Sequence, residues 1–174
     1  MRALQASVVL LGVCLIGCGG DGMPTPPHVE FYAGPSRSSV EGIVVRPLSG
    51  RCDTAFEPPP LPPPPVLRQV DVGTCQMTHL GRATMFAVQD INLVTGTQTS
   101  VEVTFTAPNG DILRAASAGT SVPNGPGVAF SAEMTFVGGT GRFARATGRA
   151  RLEGAASFVT NTASFTFAEG WIAY

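Results

Sequence analysis

The chain contains no lysine. All eleven of its basic residues are arginine, an absence that by itself assigns no activity. Charge of either sign is scarce, at 13% of residues against about a quarter in ordinary globular proteins. The formal net charge is −1, so no long-range field is directed at nucleic acid or anionic lipid. Histidine is nearly missing: His28 and His79 are the two, and no metal-ligand spacing relates them. Neither CxxC, HExxH nor GxSxG occurs, and no metal or cofactor is expected. The twelve carboxylates are scattered, with no readable acid–base pair. No stretch carries a convincing helical period.

Glycine (21) and proline (15) are plentiful instead. At the N-terminus, Met1-Arg2 supplies a short positive start and Ala3 to Ile16 a mostly apolar run. That run is too short for a permanent membrane helix and suits a secretory signal. It ends Leu15-Ile16-Gly17-Cys18, which resembles the bacterial lipobox: an aliphatic residue at −3, a small one at −1, then the cysteine that receives lipid. Leu11-Gly12-Val13-Cys14 is a poorer match, because Val13 is β-branched where a small residue is wanted. The bland alternative is an ordinary signal cut elsewhere. The expected division is a signal peptide over 1–17, a Gly/Pro-rich tether over 18–38 and one domain over 39–174. The resemblance implies lipid attachment at Cys18, a membrane as partner, and a place in the bacterial cell envelope. With Gly19 after the cysteine, that place is the outer membrane in a Gram-negative cell.

Once Cys14 leaves with the signal and Cys18 is acylated, Cys52 and Cys75 remain, an even pair in an oxidising compartment. A bridge between them closes a loop of 23 residues, worth on the order of 3 kcal/mol by chain entropy. Two free thiols or a metal site are the alternatives. Residues 51–65 include EPPPLPPPP, which has too few donors for a ladder and reads as a stiff surface loop or as a ligand for a proline-binding module.

The remainder alternates with period two. Strands are expected over Ser39–Arg46, Val66–Thr74, Gly81–Asn92 and the stretch 100–107, with Val101, Val103, Phe105 and Ala107 on one face. Asn109-Gly110 is a strong hairpin signal. The return strand Ile112–Thr120 follows it, and Val128, Phe130, Ala132, Met134 and Phe136 then share a face. Ala146 to Ala156 alternates next, and finally Ala163, Phe165, Phe167, Trp171 and Ala173. About eight antiparallel strands with short connections must deal with their edges. The fold class is therefore all-β, a single closed barrel, with a two-sheet sandwich as the alternative.

THLGR (Thr78–Arg82), Asn109–Asp111, GGTGRFARATG (Gly138–Gly148) and Gly170-Trp171-Ile172 together resemble small secreted bacterial barrel proteins similar to the allene oxide cyclase and dirigent superfamily. The resemblance covers 39–174. It implies an eight-stranded barrel with an apolar interior that binds or cyclises hydrophobic small molecules, and it carries over no catalytic residue.

GGTGRFA also fits a dinucleotide fingerprint, but that motif needs a helix and a parallel βαβ unit, and strands follow here. Gly138, Gly139, Gly141, Arg142 and Phe143 read instead as a structural turn. Arg142, Arg145, Arg149 and Arg151 form a basic cluster, but Arg149 and Arg151 lie on a solvated strand face shared with Glu153 and without interleaved aromatics, so nucleic acid is not expected. The expected function is a non-enzymatic barrel module that binds a small hydrophobic ligand or serves structure or interaction. An isomerase or cyclase working inside the barrel is the alternative. His79, Arg82 and Glu102 are the candidate interior polar residues. A polar group aimed into an apolar cavity favours an enzyme, and a fully plugged interior excludes both ligand readings. The sequence leaves oligomeric state open.

Overall fold

A computed structural model describes residues 44–174. Nine strands follow in order: β1 (Val45–Pro47), β2 (Gly50–Phe56), β3 (Val66–Met77), β4 (Gly81–Asn92), β5 (Thr97–Thr106), β6 (Ile112–Asn124), β7 (Gly127–Gly139), β8 (Thr147–Ser157) and β9 (Thr162–Ala173). One 3-10 turn, Gly141–Phe143, joins β7 to β8. Each strand from β2 to β9 pairs antiparallel with its neighbour in sequence, and β9 returns to pair with β2. The result is a closed eight-stranded barrel, so the sandwich alternative falls away. β1 lies outside the ring, against the end of β9. Closure leaves no long unpaired edge among β2–β9.

The expected signal over 1–17, the expected lipid site Cys18 and the expected tether over 18–38 lie outside the described residues, as does most of the strand expected over Ser39–Arg46. The first barrel strand is β2. It occupies the front of the stretch read as a loop over 51–65, so the proline-rich connection runs only from Glu57 to Pro65. β2 has the period of a strand: Cys52, Thr54 and Phe56 are buried, while Arg51, Asp53 and Ala55 face out. Its inward face holds a single large apolar side chain, so hydrophobic patterning does not announce it.

Cys52 and Cys75 stand directly opposite each other across β2 and β3 and form a disulfide, with both sulfur-bearing side chains buried inside the barrel. This bridge sets the parity of β3. Cys75 points inward, so Leu67, Gln69 and Asp71 do too, and Val66, Val70 and Val72 are left on the outer wall.

Bulges interrupt the ladder on β5, β7 and β9, and those on β5 and β9 reset the alternation. On β5, Val88 pairs with Glu102 and Gln89 with Ser100, which leaves Val101 as the extra residue, exposed outside. Ser100 and Gln98 therefore turn inward, and the Ser117 N–H donates to Ser100 Oγ at 2.6 Å where the ladder breaks. On β9, Ala168 is the extra residue. Beyond it Ile172 is fully buried and Trp171 is partly exposed, the reverse of the simple alternation.

One end of the barrel is filled. Phe105, Phe136, Phe143, Leu113 and Ile172 are the large, fully buried side chains there, and Leu48 and Leu80 close over them. Phe143 enters from the 3-10 turn, its ring 5.0 Å from that of Tyr174. The turn needs glycine: Gly138 has φ +102 and Gly141 φ +54, and a Cβ on Gly141 would collide with the Asp111 carboxylate.

Candidate functional site

The opposite half of the barrel is hollow. Inward residues of β2–β9 enclose a cavity of about 100 Å³ that reaches Leu93 and Phe158 at the rim. The loops at this end carry well-exposed aliphatic side chains at Leu61, Val94 and Val159. The rim is tied together by the Leu93 N–H donating to the Pro65 carbonyl and the Phe56 N–H to the Asn161 carbonyl, and by edge-to-face packing of Phe56 on Phe158.

The cavity has two unlike walls. β7, β8 and β9 contribute Val128, Phe130, Met134, Leu152 and Phe165, all apolar. β3 to β6 contribute a mixed lining, Gln69, Asp71, Gln89, Gln98, Ser100 and Ser117 among apolar side chains such as Met85 and Val103. At the centre of this second wall Asp71 is 4% exposed, and among the described residues it is the one ionisable residue lining the cavity. Gln69 Nε2 donates to Asp71 Oδ1 at 2.8 Å, and Gln89 Nε2 to Asp71 Oδ2 at 2.7 Å. Gln69 and Gln89 face each other across β3 and β4, and Asp71 lies two residues along β3 on the same inward face. Burial pushes the Asp71 carboxyl above its ordinary range, and the two amide hydrogen bonds pull it part of the way back. Among the described residues no cationic side chain lines the cavity.

Each carboxylate oxygen thus accepts one protein hydrogen bond, and an ionised carboxylate has about four acceptor positions in all. The arrangement can accept a donor from a molecule in the cavity, or hold and release a proton there.

The polar residues expected inside lie elsewhere. His79, Arg82 and Glu102 are all exposed, outside the cavity. His79 occupies the β3–β4 turn with φ +68, and its Nε2 lies 3.0 Å from the Pro47 carbonyl. Arg82 stands opposite Gln76 on the outer wall, because Ala83 takes the inward place. Glu102 faces out beside the bulge at Val101. Arg142 serves the filled end. It donates to the His79 carbonyl at 2.9 Å, approaches the Asp111 carboxylate at 3.6 Å and covers the Phe143 ring at 4.8 Å. Hydrophobic patterning misses Gln69 and Asp71 because Val66, Val70 and Val72 form the more apolar face of β3. The signal that finds them is the odd-number parity from Cys75.

Among the described residues no group of three His, Cys, Asp or Glu side chains is placed to hold a metal, and no helix is long and apolar enough to cross a membrane. No family model, curated protein or solved structure matches this chain.

Proposed function

We propose that the barrel binds a small, largely apolar molecule in its open half, and that lipid on Cys18 holds the protein at a bacterial envelope membrane. The observation that carries the binding reading is the one-ended cavity: large side chains fill one half of the barrel, and the other half stays open behind an aliphatic rim. Cavities of this kind bury most of a small ligand's surface and fix it with a few polar groups. The signal and lipobox carry the anchoring reading.

Binding is tested by titrating single-ring compounds, such as 2-phenylethanol, into the protein while following the methyl NMR signals of Met85 and Met134, which line the cavity. Saturable shifts of these methyls are expected in the natural chain and not in Ala132→Phe, which fills the same space. Unmoved methyls overturn the reading. For the anchor, Cys18→Ser is expected to release the protein from membranes, and continued membrane partition overturns it.

A second reading is favoured by Asp71 itself, a buried carboxyl with a raised pKa facing an apolar wall. That is the setting of a general acid–base group in an isomerase or cyclase. In this reading Asp71 takes a proton from a carbon next to a ligand carbonyl. The protein is then expected to exchange solvent deuterium into a bound aryl ketone, and Asp71→Asn to stop it. Equal exchange by both proteins sinks the catalytic reading.

A further inference from the structure

The ligand's head group follows from what surrounds Asp71, and the step rests on the binding reading above. A lone carboxylate is costly to bury, and buried charges in proteins are ordinarily paired. Here the protein supplies two neutral amides and no cation. Each glutamine turns its NH₂ toward the carboxylate, so its carbonyl oxygen is left over. Among the described residues no protein hydrogen bond reaches either carbonyl oxygen. The surroundings of Asp71 on β3 and β4 are therefore rich in acceptors, the remaining lone pairs of Asp71 and two amide oxygens, while the side-chain donors of Gln98, Ser100 and Ser117 sit on β5 and β6. The facing wall of Val128, Phe130, Met134, Leu152 and Phe165 offers neither donor nor acceptor from its side chains.

An ammonium group has three donors, no acceptor and the missing positive charge. An alcohol brings one donor and no charge, and a carboxylate brings charge of the wrong sign. We infer that the cavity is built for a small apolar amine, its ammonium placed against Asp71, Gln69 and Gln89 and its hydrocarbon body against the β7–β9 wall. At about 100 Å³ the space is smaller than an apolar cavity of about 150 Å³ that holds benzene, so it suits a short alkyl chain or a single ring that protrudes in part through the open rim.

Three probes of nearly equal size and different head groups decide the matter: 2-phenylethylammonium, 2-phenylethanol and 3-phenylpropionate. Each is titrated into the purified full chain, with affinity read by calorimetry and position by the methyl signals of Met85 and Met134. The ammonium is expected to bind at least ten-fold more tightly than the alcohol, and the carboxylate not measurably. Asp71→Asn is expected to abolish the preference and leave alcohol binding as it was. If that variant does not fold, acidifying the natural protein until Asp71 is protonated is expected to weaken the ammonium alone. Equal affinity for ammonium and alcohol, or preference for the carboxylate, overturns the inference while leaving the cavity reading intact. If no probe moves the methyls, both fall together.

Discussion

Gln89 Nε2 donates to Oδ2 of Asp71 at 2.7 Å, from a different strand and across 18 residues of sequence. This bond and its counterpart from Gln69 offset part of the cost of burying the Asp71 carboxylate. Gln89→Leu removes one donor and leaves part of the carboxylate unsatisfied. The expected cost is about 1–3 kcal/mol at neutral pH, as for any buried acceptor deprived of its partner. It should shrink in acid, where Asp71 is protonated. Chemical denaturation of the two proteins at both pH values checks this, and a cost independent of pH would contradict it.

The Asp71 carboxyl titrates above its ordinary value in the folded chain, so the fold holds this proton more tightly than the unfolded chain does. The contribution of Asp71 to stability is therefore most favourable in acid. It declines as pH rises from the ordinary carboxylate value through the folded one, and it is flat above that. Asp90 acts in the opposite sense, because the Arg68 guanidinium holds its pKa down. The informative quantity is thus the difference between the natural chain and Asp71→Asn. The natural chain is expected to lose stability relative to the variant as pH rises through that window. Parallel pH profiles would show that Asp71 titrates as an ordinary surface carboxyl.

Phe143 closes the filled end from within the Gly138–Gly148 stretch and is fully buried against Tyr174 and the surrounding core. Phe143→Ala is expected to cost about 3–5 kcal/mol, the usual range for deleting a buried aromatic ring. Arg142→Ala, one residue earlier but exposed, should cost much less. Urea midpoints for the two variants check the ranking, and equal losses would mean that the turn acts through its surface contacts instead.

The disulfide stabilises β2 against β3 at the point where parity is set. Replacing both cysteines, Cys52→Ala with Cys75→Ala, is expected to cost roughly 2–4 kcal/mol. Cys52 is 0% and Cys75 1% exposed. A thiol reductant should therefore cleave the bridge slowly in native buffer and quickly in denaturant. Equally fast reduction in both would show that this part of the barrel opens readily.

Much of the fold is legible in the residues. Period-two alternation in β7 and β8 places Phe130, Met134 and Phe136, then Ala150 and Leu152, on the inner face where the structure has them. The lack of helical pattern and the short connections favour a barrel of sequential neighbours. β2 is hidden by its composition, because Cys52 and Thr54 do the work that Val or Leu does elsewhere. The candidate site is hidden by competition between two faces. β3 presents three valines on one side and Gln69 with Asp71 on the other, and hydrophobicity alone selects the valines.

The sequence by itself determined the all-β class, most of the period-two strands after β2, the tight glycine turn and the cysteine pair. These depend on local chemistry: backbone conformations that only glycine accepts readily, and alternation along one strand. Only the tertiary structure decided which face looks inward in β3, in the first half of β5 and at the end of β9. That choice depends on ring closure, on the disulfide fixing the phase of β3, and on the extra residues Val101 and Ala168, each of which reverses the alternation beyond it. A strand such as β3, whose more apolar face is the outer one, carries no mark of which side is inside until its partners enclose a volume, and Asp71 acquires its chemistry from that enclosure.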